Sequence, residues 1–221
     1  MTPPSLATDL VNEAIGDRRL LSHPFYQRWQ AGELEVSELT AYAGQYRYFE
    51  AQLPDFLAEV LEGAGTGDVA GLLSANLQDE TSVPAPHIEL FEQFASALGA
   101  VEVAPTPATE ALVACYRRYA RASTPEAVAA LAAYEVQAAA VASSKAEGLR
   151  EFYGLGGEAT RFWDVHAAAD IDHGTWVVEA LDWLLAGDEA AESRAAAATC
   201  EVAGAWWDWL DEREAARPAA A

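Results

Sequence analysis

Residues 39–61 read LTAYAGQYRYFEAQLPDFLAEVL, and the spacing of their apolar side chains decides the fold class. Leu39, Tyr42, Tyr46, Phe49, Leu53, Phe56, Leu57 and Val60 recur at three and four residues, the period of a helix with one broad apolar face. Ser37 with Glu38 behind it supplies an N-cap and an acidic first turn, and Gly63 and Gly65 close the helix. The same reading carries outward in both directions. Helices are predicted over 68–79, over 87–98 up to Gly99, and over 111–121 after a loop marked by Pro105 and Pro107. The prolines of Ser82-Val83-Pro84-Ala85-Pro86 separate the first two. Ser123-Thr124-Pro125-Glu126 opens a long helix, a cap residue followed by Pro, that runs to Tyr153 and stops at Gly154. Two more cover 158–185 and 189–214, the last carrying Trp206, Trp207 and Trp209 near its end. There is no internal repeat, no glycine-rich strand-to-helix turn and no alternating run. The prediction is an all-α bundle of seven or eight helices in a single domain over residues 1–214, with a disordered tail at 215–221.

Thirteen Lys+Arg against 35 Asp+Glu leave a net charge of −22, which excludes nucleic acid and anionic membrane as partners, because phosphate binding needs basic clusters. At 52% hydrophobic residues the chain can bury a core. No run of about 18 apolar residues is seen, and the first residues lack the basic and apolar regions of a secretory signal. Cys115 and Cys200 make neither a disulfide framework nor a metal cluster. The expectation is a cytoplasmic protein, with a last helix whose tryptophans suit a homodimer contact or the core.

The chemistry concentrates in FWDVHAAADIDHGTW, which holds two of only four histidines. His166, Asp170 and His173 stand at 0, +4 and +7, so at about 100° per residue they share a sector of roughly 60°. The alanines between them let that face approach neighbouring helices. Two imidazoles and a carboxylate from one helix form a ligand set for a first-row transition metal. A helical histidine is more often a surface or hydrogen-bonded residue. This spacing, however, arises by chance in on the order of one such chain in a hundred. Asp172 lies off the face and is predicted to be solvated.

Glu80 and His87 flank the proline-broken segment, so helical spacing cannot relate them, but they can converge across the kink. Each alone reads as an ordinary helix-end residue. Glu135 lies in the apolar stretch ALAAYEVQAAAVA, where an unpaired carboxylate is costly to bury. Lys145 shares its face but sits about 15 Å along the axis, too far for a salt bridge. Three carboxylates leave two divalent ions at a net +1, and three histidines besides are more ligand than one ion uses. The stoichiometry is that of a dinuclear site in a helical bundle.

The order Glu80, His87, Glu135, His166-x3-Asp170-x2-His173 resembles that of the haem-oxygenase-like di-iron oxidases, a helical-bundle family shared with TenA proteins and PqqC. The likeness covers nearly the whole chain, through HPFYQRWQAGELEVSELTAYAGQY (23–46), NLQDETSVPAPHIELFEQFASALG (76–99), YEVQAAAVASSKAEGLREFYG (134–154) and FWDVHAAADIDH (162–173). The six-ligand order is its specific part. Within the family the likeness narrows to the group typified by the Chlamydia protein associating with death domains (CADD), para-aminobenzoate synthases that consume their own side chains to supply folate synthesis. The resemblance implies two iron ions, or one iron and one manganese, with O2 and a reductant as co-substrates. It implies Tyr26 as the tyrosine excised as product, Tyr42 as a second active-site tyrosine supporting radical transfer, Lys145 as amino donor and Tyr134 as a further tyrosine beside the cluster. None of these ten positions departs from the family pattern. Read without the resemblance, Tyr42 packs on its apolar face regardless, and Lys145 either snorkels to water or serves the site. Tyr26, beside His23-Pro24 at a helix junction, is not demanded by packing, while His23 is read as structural.

Three other functions remain in view. The same metal site could oxidise a free small molecule, an amino acid, amine or fatty acid, by N-oxygenation or C–C cleavage. A TenA-like hydrolase needs a cysteine nucleophile beside a carboxylate, and neither cysteine adjoins Glu135 or the other acids. A non-enzymatic binding protein could dock its acidic surface on a basic partner.

Overall fold

The computed structural model describes residues 5–82 and 84–217, and among these it holds ten α-helices, one 3-10 turn and no strand. The axis of the bundle is α8 (Thr124–Tyr153), whose start at Ser123 and Pro125 and stop at Gly154, in the left-handed conformation at φ 64°, are those the sequence announces. Its small residues explain its place. Buried alanines at 129, 132, 133 and 142 let α9 (Glu158–Leu185) and α10 (Glu189–Ala215) pack along it. The approach of α9 is close enough that a Cβ on Gly174 would meet the Glu135 carbonyl oxygen at 3.0 Å.

The other helices enclose this core. They are α1 (Leu6–Ile15), α2 (Pro24–Gln30) after a 3-10 turn, α3 (Val36–Glu50), α4 (Leu53–Ala64), α5 (Asp68–Ser82), α6 (His87–Ala97) and α7 (Pro107–Ala120). The segment predicted as one helix over 39–61 is therefore two. Pro54 lacks an N–H and restrains Leu53, so the backbone turns at Ala51 and Gln52 before α4 begins. The cap of α3 is also not Ser37: the N-cap is Glu35, two residues earlier, and it forms a reciprocal capping box with Glu38. With α1, whose buried Ala7, Val11 and Ile15 repeat at four residues, and the seven-residue α2, this split raises the count from seven or eight to ten.

Two further expectations change. By length and composition α8 could cross a bilayer, with mean hydropathy 1.3 in its most apolar window, contrary to the reading that no such run exists. That window is 61% buried within the bundle, and the helix holds buried Glu135, Gln137 and Lys145, so its apolar character is that of a core helix. The predicted disordered tail starts too early, since Ala215 closes α10; residues 218–221 lie outside the described residues. Trp206 and Trp209 are core residues, their indole N–H groups donating to Tyr116 and Thr109 at 2.9 Å each.

Candidate metal centre

Four helices converge on the six predicted ligands. The end of α5 supplies Glu80, the start of α6 His87, the middle of α8 Glu135, and one face of α9 His166, Asp170 and His173. They fall into two triads, Glu80–His87–His166 and Glu135–Asp170–His173, in each of which the ligand atoms lie within 4.8 Å of one another. All six are buried, none more than 7% exposed, while Asp172 is at the surface as predicted. The proline kink does what helical spacing cannot, bringing His87 Nδ1 to 2.8 Å from Glu80 Oε2.

The imidazoles are oriented from behind, as metal-binding histidines are. His166 Nδ1–H donates to the Phe162 carbonyl at 2.9 Å, which leaves Nε2 as an acceptor 3.9 Å from Glu80. His173 Nε2 donates to Asp79 at 3.1 Å. Its Nδ1, fully buried, lies 3.3 Å from Asp170 Oδ1 but is not aligned for a hydrogen bond and has no other partner. A buried imidazole nitrogen that faces carboxylates without a hydrogen-bond partner fits a bound cation better than it fits solvent. The charges agree. Burial, then the neighbouring Asp170, pushes the Glu135 carboxyl up to about 8. Burial opposes charge on His173, but the carboxylates of Asp170, Glu135 and Asp79 outweigh it and raise the imidazole to about 10. Glu80 goes the other way: burial is outweighed by the hydrogen bond from His87 and the adjacent imidazoles, and its carboxyl is held low. Glu135 and His173 are thus raised towards their protonated forms in the triad that a divalent ion would fill.

Beside the triads lies an aromatic compartment. Arg28 ties α2 to Glu38 on α3 and to Glu214 on α10, and the Trp29 indole donates to the Lys145 carbonyl, which fixes Tyr26 against α8. His23 is structural, capping α2 through Nδ1 and meeting Asp211 through Nε2. The Tyr26 and Tyr42 hydroxyls are 3.0 Å apart, and Lys145 Nζ donates to the Tyr42 oxygen at 2.7 Å. The same amine sits 4.9 Å from the Tyr26 ring centroid and 4.0 Å from that of Trp163. Lys145 is 1% exposed and does not snorkel; burial lowers its pKa well below the ordinary lysine value, against the opposing pull of Glu50 and Asp170. Tyr134 lies one residue before Glu135, its hydroxyl 3.0 Å from that of Tyr46.

Three participants escape sequence reasoning. Glu50 lines the same closed cavity as Glu80, Glu135 and Asp170, and burial followed by those acids raises its carboxyl well above the usual range. Its signal was available, since Tyr42, Tyr46 and Glu50 follow at i, i+4 and i+8 and put an acid on an aromatic face. Asn76, one turn before Glu80, holds a buried amide beside Glu135 with neither polar atom in good hydrogen-bond geometry. Asp79 carries no sequence signal at all. The closed cavity encloses about 10 Å³, the room of a single water. An open groove of about 600 Å³ between α1, α8 and α9 reaches Glu135 and Asp170 from outside.

The chain is similar to known proteins over most of its length. The family described as iron-containing redox enzymes matches the chain over residues 40–207. A 4-aminobenzoate synthase of Chlamydia pneumoniae is 32% identical over 80% of this chain and 82% of its own length. One of Nitrosomonas europaea is 33% identical over 91% of this chain and 88% of its own. Among solved structures, a TenA homologue of Pseudomonas syringae superposes with a TM-score of 0.80 over 95% of this chain and 93% of the other at 14% identity, a likeness of fold alone.

Proposed function

The chain belongs to the iron-containing redox enzymes with a haem-oxygenase-like fold, and we propose that it is an O2-dependent dinuclear metal oxidase that makes 4-aminobenzoate from its own Tyr26. The observation that supports this most is the meeting of the buried Lys145 amine with the Tyr26–Tyr42 phenol pair, which Tyr46 and Tyr134 connect to a cavity lined by Glu80, Glu135, His166 and Asp170 of the two ligand triads. Glu80, His87 and His166 would hold one ion, and Glu135, Asp170 and His173 the other. Two iron ions, or one iron and one manganese, would supply there the reduction of O2 with electrons from an external reductant.

The side chains divide the remaining work. Tyr26 provides the aromatic ring. Tyr42 accepts from Lys145 and is hydrogen-bonded to Tyr26, so it holds amine and phenol in one orientation. Lys145, unprotonated, keeps a lone pair as nitrogen donor. Tyr134 stands between the ligands and the aromatic compartment. The surrounding rings exclude water, which protects reactive side chains from hydrolysis and leakage of protons. Because Tyr26 is consumed, each chain acts once.

The groove that reaches Glu135 and Asp170 favours a second reading, oxidation of a free small molecule at the same metals. A TenA-like hydrolase finds no support: burial pushes the Cys115 thiol up to about 11, Cys200 is exposed, and neither lines the cavity.

The test is anaerobic loading with ferrous ion, with and without manganese, followed by O2 and a reductant. Mass spectrometry then follows small molecules and the intact chain. 4-Aminobenzoate below one equivalent, with matching mass loss at Tyr26, is expected. Two metals per chain with Tyr26 intact and no such product would move the search to a free substrate. No metal uptake would defeat both readings.

A further inference from the structure

The cavity that four of the ligands line is also lined by phenols, and Tyr26 is not one of them. Tyr134 and Tyr46 line the cavity that Glu135, His166 and Asp170 also line, and their hydroxyls are 3.0 Å apart. Tyr42 and Tyr26 form a second pair, also at 3.0 Å. The two pairs meet where Tyr46 stacks on Tyr42, ring centroids 5.5 Å apart and planes 19° from parallel. Tyr46 is therefore the one tyrosine that both hydrogen-bonds to the pair member beside the ligands and stacks on the pair that holds Tyr26. It is 2% exposed, and its ring centroid is 5.0 Å from Lys145 Nζ.

We infer that Tyr46 is a redox relay, carrying a one-electron vacancy from Tyr134 to Tyr42 and so to Tyr26. The inference rests on the reading of Tyr26 as the consumed residue, and its co-reactant is a one-electron oxidant derived from O2 at the metal pair. The steps balance. Tyr134, having lost one electron and its hydroxyl proton, takes a hydrogen atom from the Tyr46 hydroxyl and is restored. The Tyr46 radical takes an electron from the stacked Tyr42 ring while the Tyr42 hydroxyl turns to give its proton to the lone pair of an unprotonated Lys145 amine 2.7 Å away, leaving Tyr46 phenolate and Lys145 ammonium as a charge pair. Tyr42 then takes a hydrogen atom from Tyr26, and transfer of the proton from Lys145 to Tyr46 restores both. The net change is one electron and one proton removed from Tyr26. At both hydrogen-bonded junctions the two hydroxyls are 3.0 Å apart, within reach of direct hydrogen-atom transfer.

Two variants test this. Tyr46→Phe keeps the stack on Tyr42 and removes only the hydroxyl that meets Tyr134. Metal content and thermal midpoint should match the parent chain, while 4-aminobenzoate falls at least tenfold and Tyr26 keeps its mass. Parent-like product from Tyr46→Phe would overturn the relay. The second variant, Tyr46→3-aminotyrosine, keeps the hydroxyl but is easier to oxidise, so it traps the vacancy. After O2 it should give an aminotyrosyl signal in electron paramagnetic resonance and no product. Product without that signal would overturn the relay. If the parent chain releases no 4-aminobenzoate, the self-sacrificing reading fails by itself, and the signal at position 46 still decides whether oxidation travels this way.

Discussion

Lys145 illustrates how a single residue can carry function at the expense of stability. Its amine is enclosed by Tyr26, Tyr42, Tyr46 and Trp163, with one hydrogen bond, and burial there lowers its pKa well below the ordinary lysine value. Burying such a group without a partnered charge is unfavourable, and replacing it with an apolar side chain of similar length removes the cost. Lys145→Met is therefore expected to stabilise the metal-free chain by about 1–2 kcal/mol in urea unfolding at neutral pH, while abolishing 4-aminobenzoate. The sign of the pH dependence follows from the depressed pKa. The unfolded lysine binds a proton that the folded one lacks, so the cost is full below the folded value and fades as pH rises towards the ordinary lysine range. The gain from Met should shrink between pH 6 and pH 10, and a gain that grows would refute a neutral buried amine. The oddity of this lysine on an apolar helix is visible in the sequence. Its partners are not, because Tyr26, Tyr42 and Trp163 come from α2, α3 and α9.

At the scale of elements, the same distinction explains what was legible. The spacing of His166, Asp170 and His173 becomes a shared face by helical geometry alone, so the α9 half of the centre can be read directly. The Glu80–His87 contact needs the path of the chain through the proline kink, which no periodicity encodes. The break at Pro54 was readable and outweighs the continuous apolar stripe around it. Two changes probe the helices themselves. α9 ends on Ala186 at φ 43°, a left-handed conformation in which an L side chain is strained, followed by Gly187. Ala186→Gly should raise stability by about 0.5–1 kcal/mol, checked by denaturant midpoint; a loss would mean that the turn tolerates alanine without strain. Gly174→Ala acts in the opposite sense. Its Cβ meets the Glu135 backbone, so α9 must shift from α8, and overpacking of about 1–3 kcal/mol exceeds the helix-propensity gain of about 1 kcal/mol. The second triad spans this contact, so metal titration should show the Glu135–Asp170–His173 subsite weakened while the Glu80–His87–His166 subsite is retained.

For the whole molecule, the decisive property is that the bundle folds around charges it cannot satisfy alone. Without metal, the Glu135 carboxyl and the His173 imidazole both bind protons more tightly than they do in the unfolded chain, near 8 and 10 against 4.5 and 6.5. Groups raised in this way stabilise the fold fully below their unfolded values and lose that contribution as pH climbs through the folded ones. Glu135 therefore withdraws its support between about pH 4.5 and 8, and His173 between about pH 6.5 and 10. A divalent ion in the Glu135–Asp170–His173 triad takes the place of those protons, and a ligand that binds only the native state stabilises it in proportion to its affinity. As pH rises the protons compete less and the ion binds more tightly. The difference in thermal midpoint between the manganese-loaded and metal-free chain, measured anaerobically, should thus widen from pH 6 to pH 9. The same ions should move the midpoint of Asp170→Ala much less, because that variant loses a ligand and the carboxylate 3.3 Å from His173 Nδ1. A difference that stays flat or narrows with pH would mean that the triads are ordinary buried hydrogen-bond clusters and not sites held open for metal.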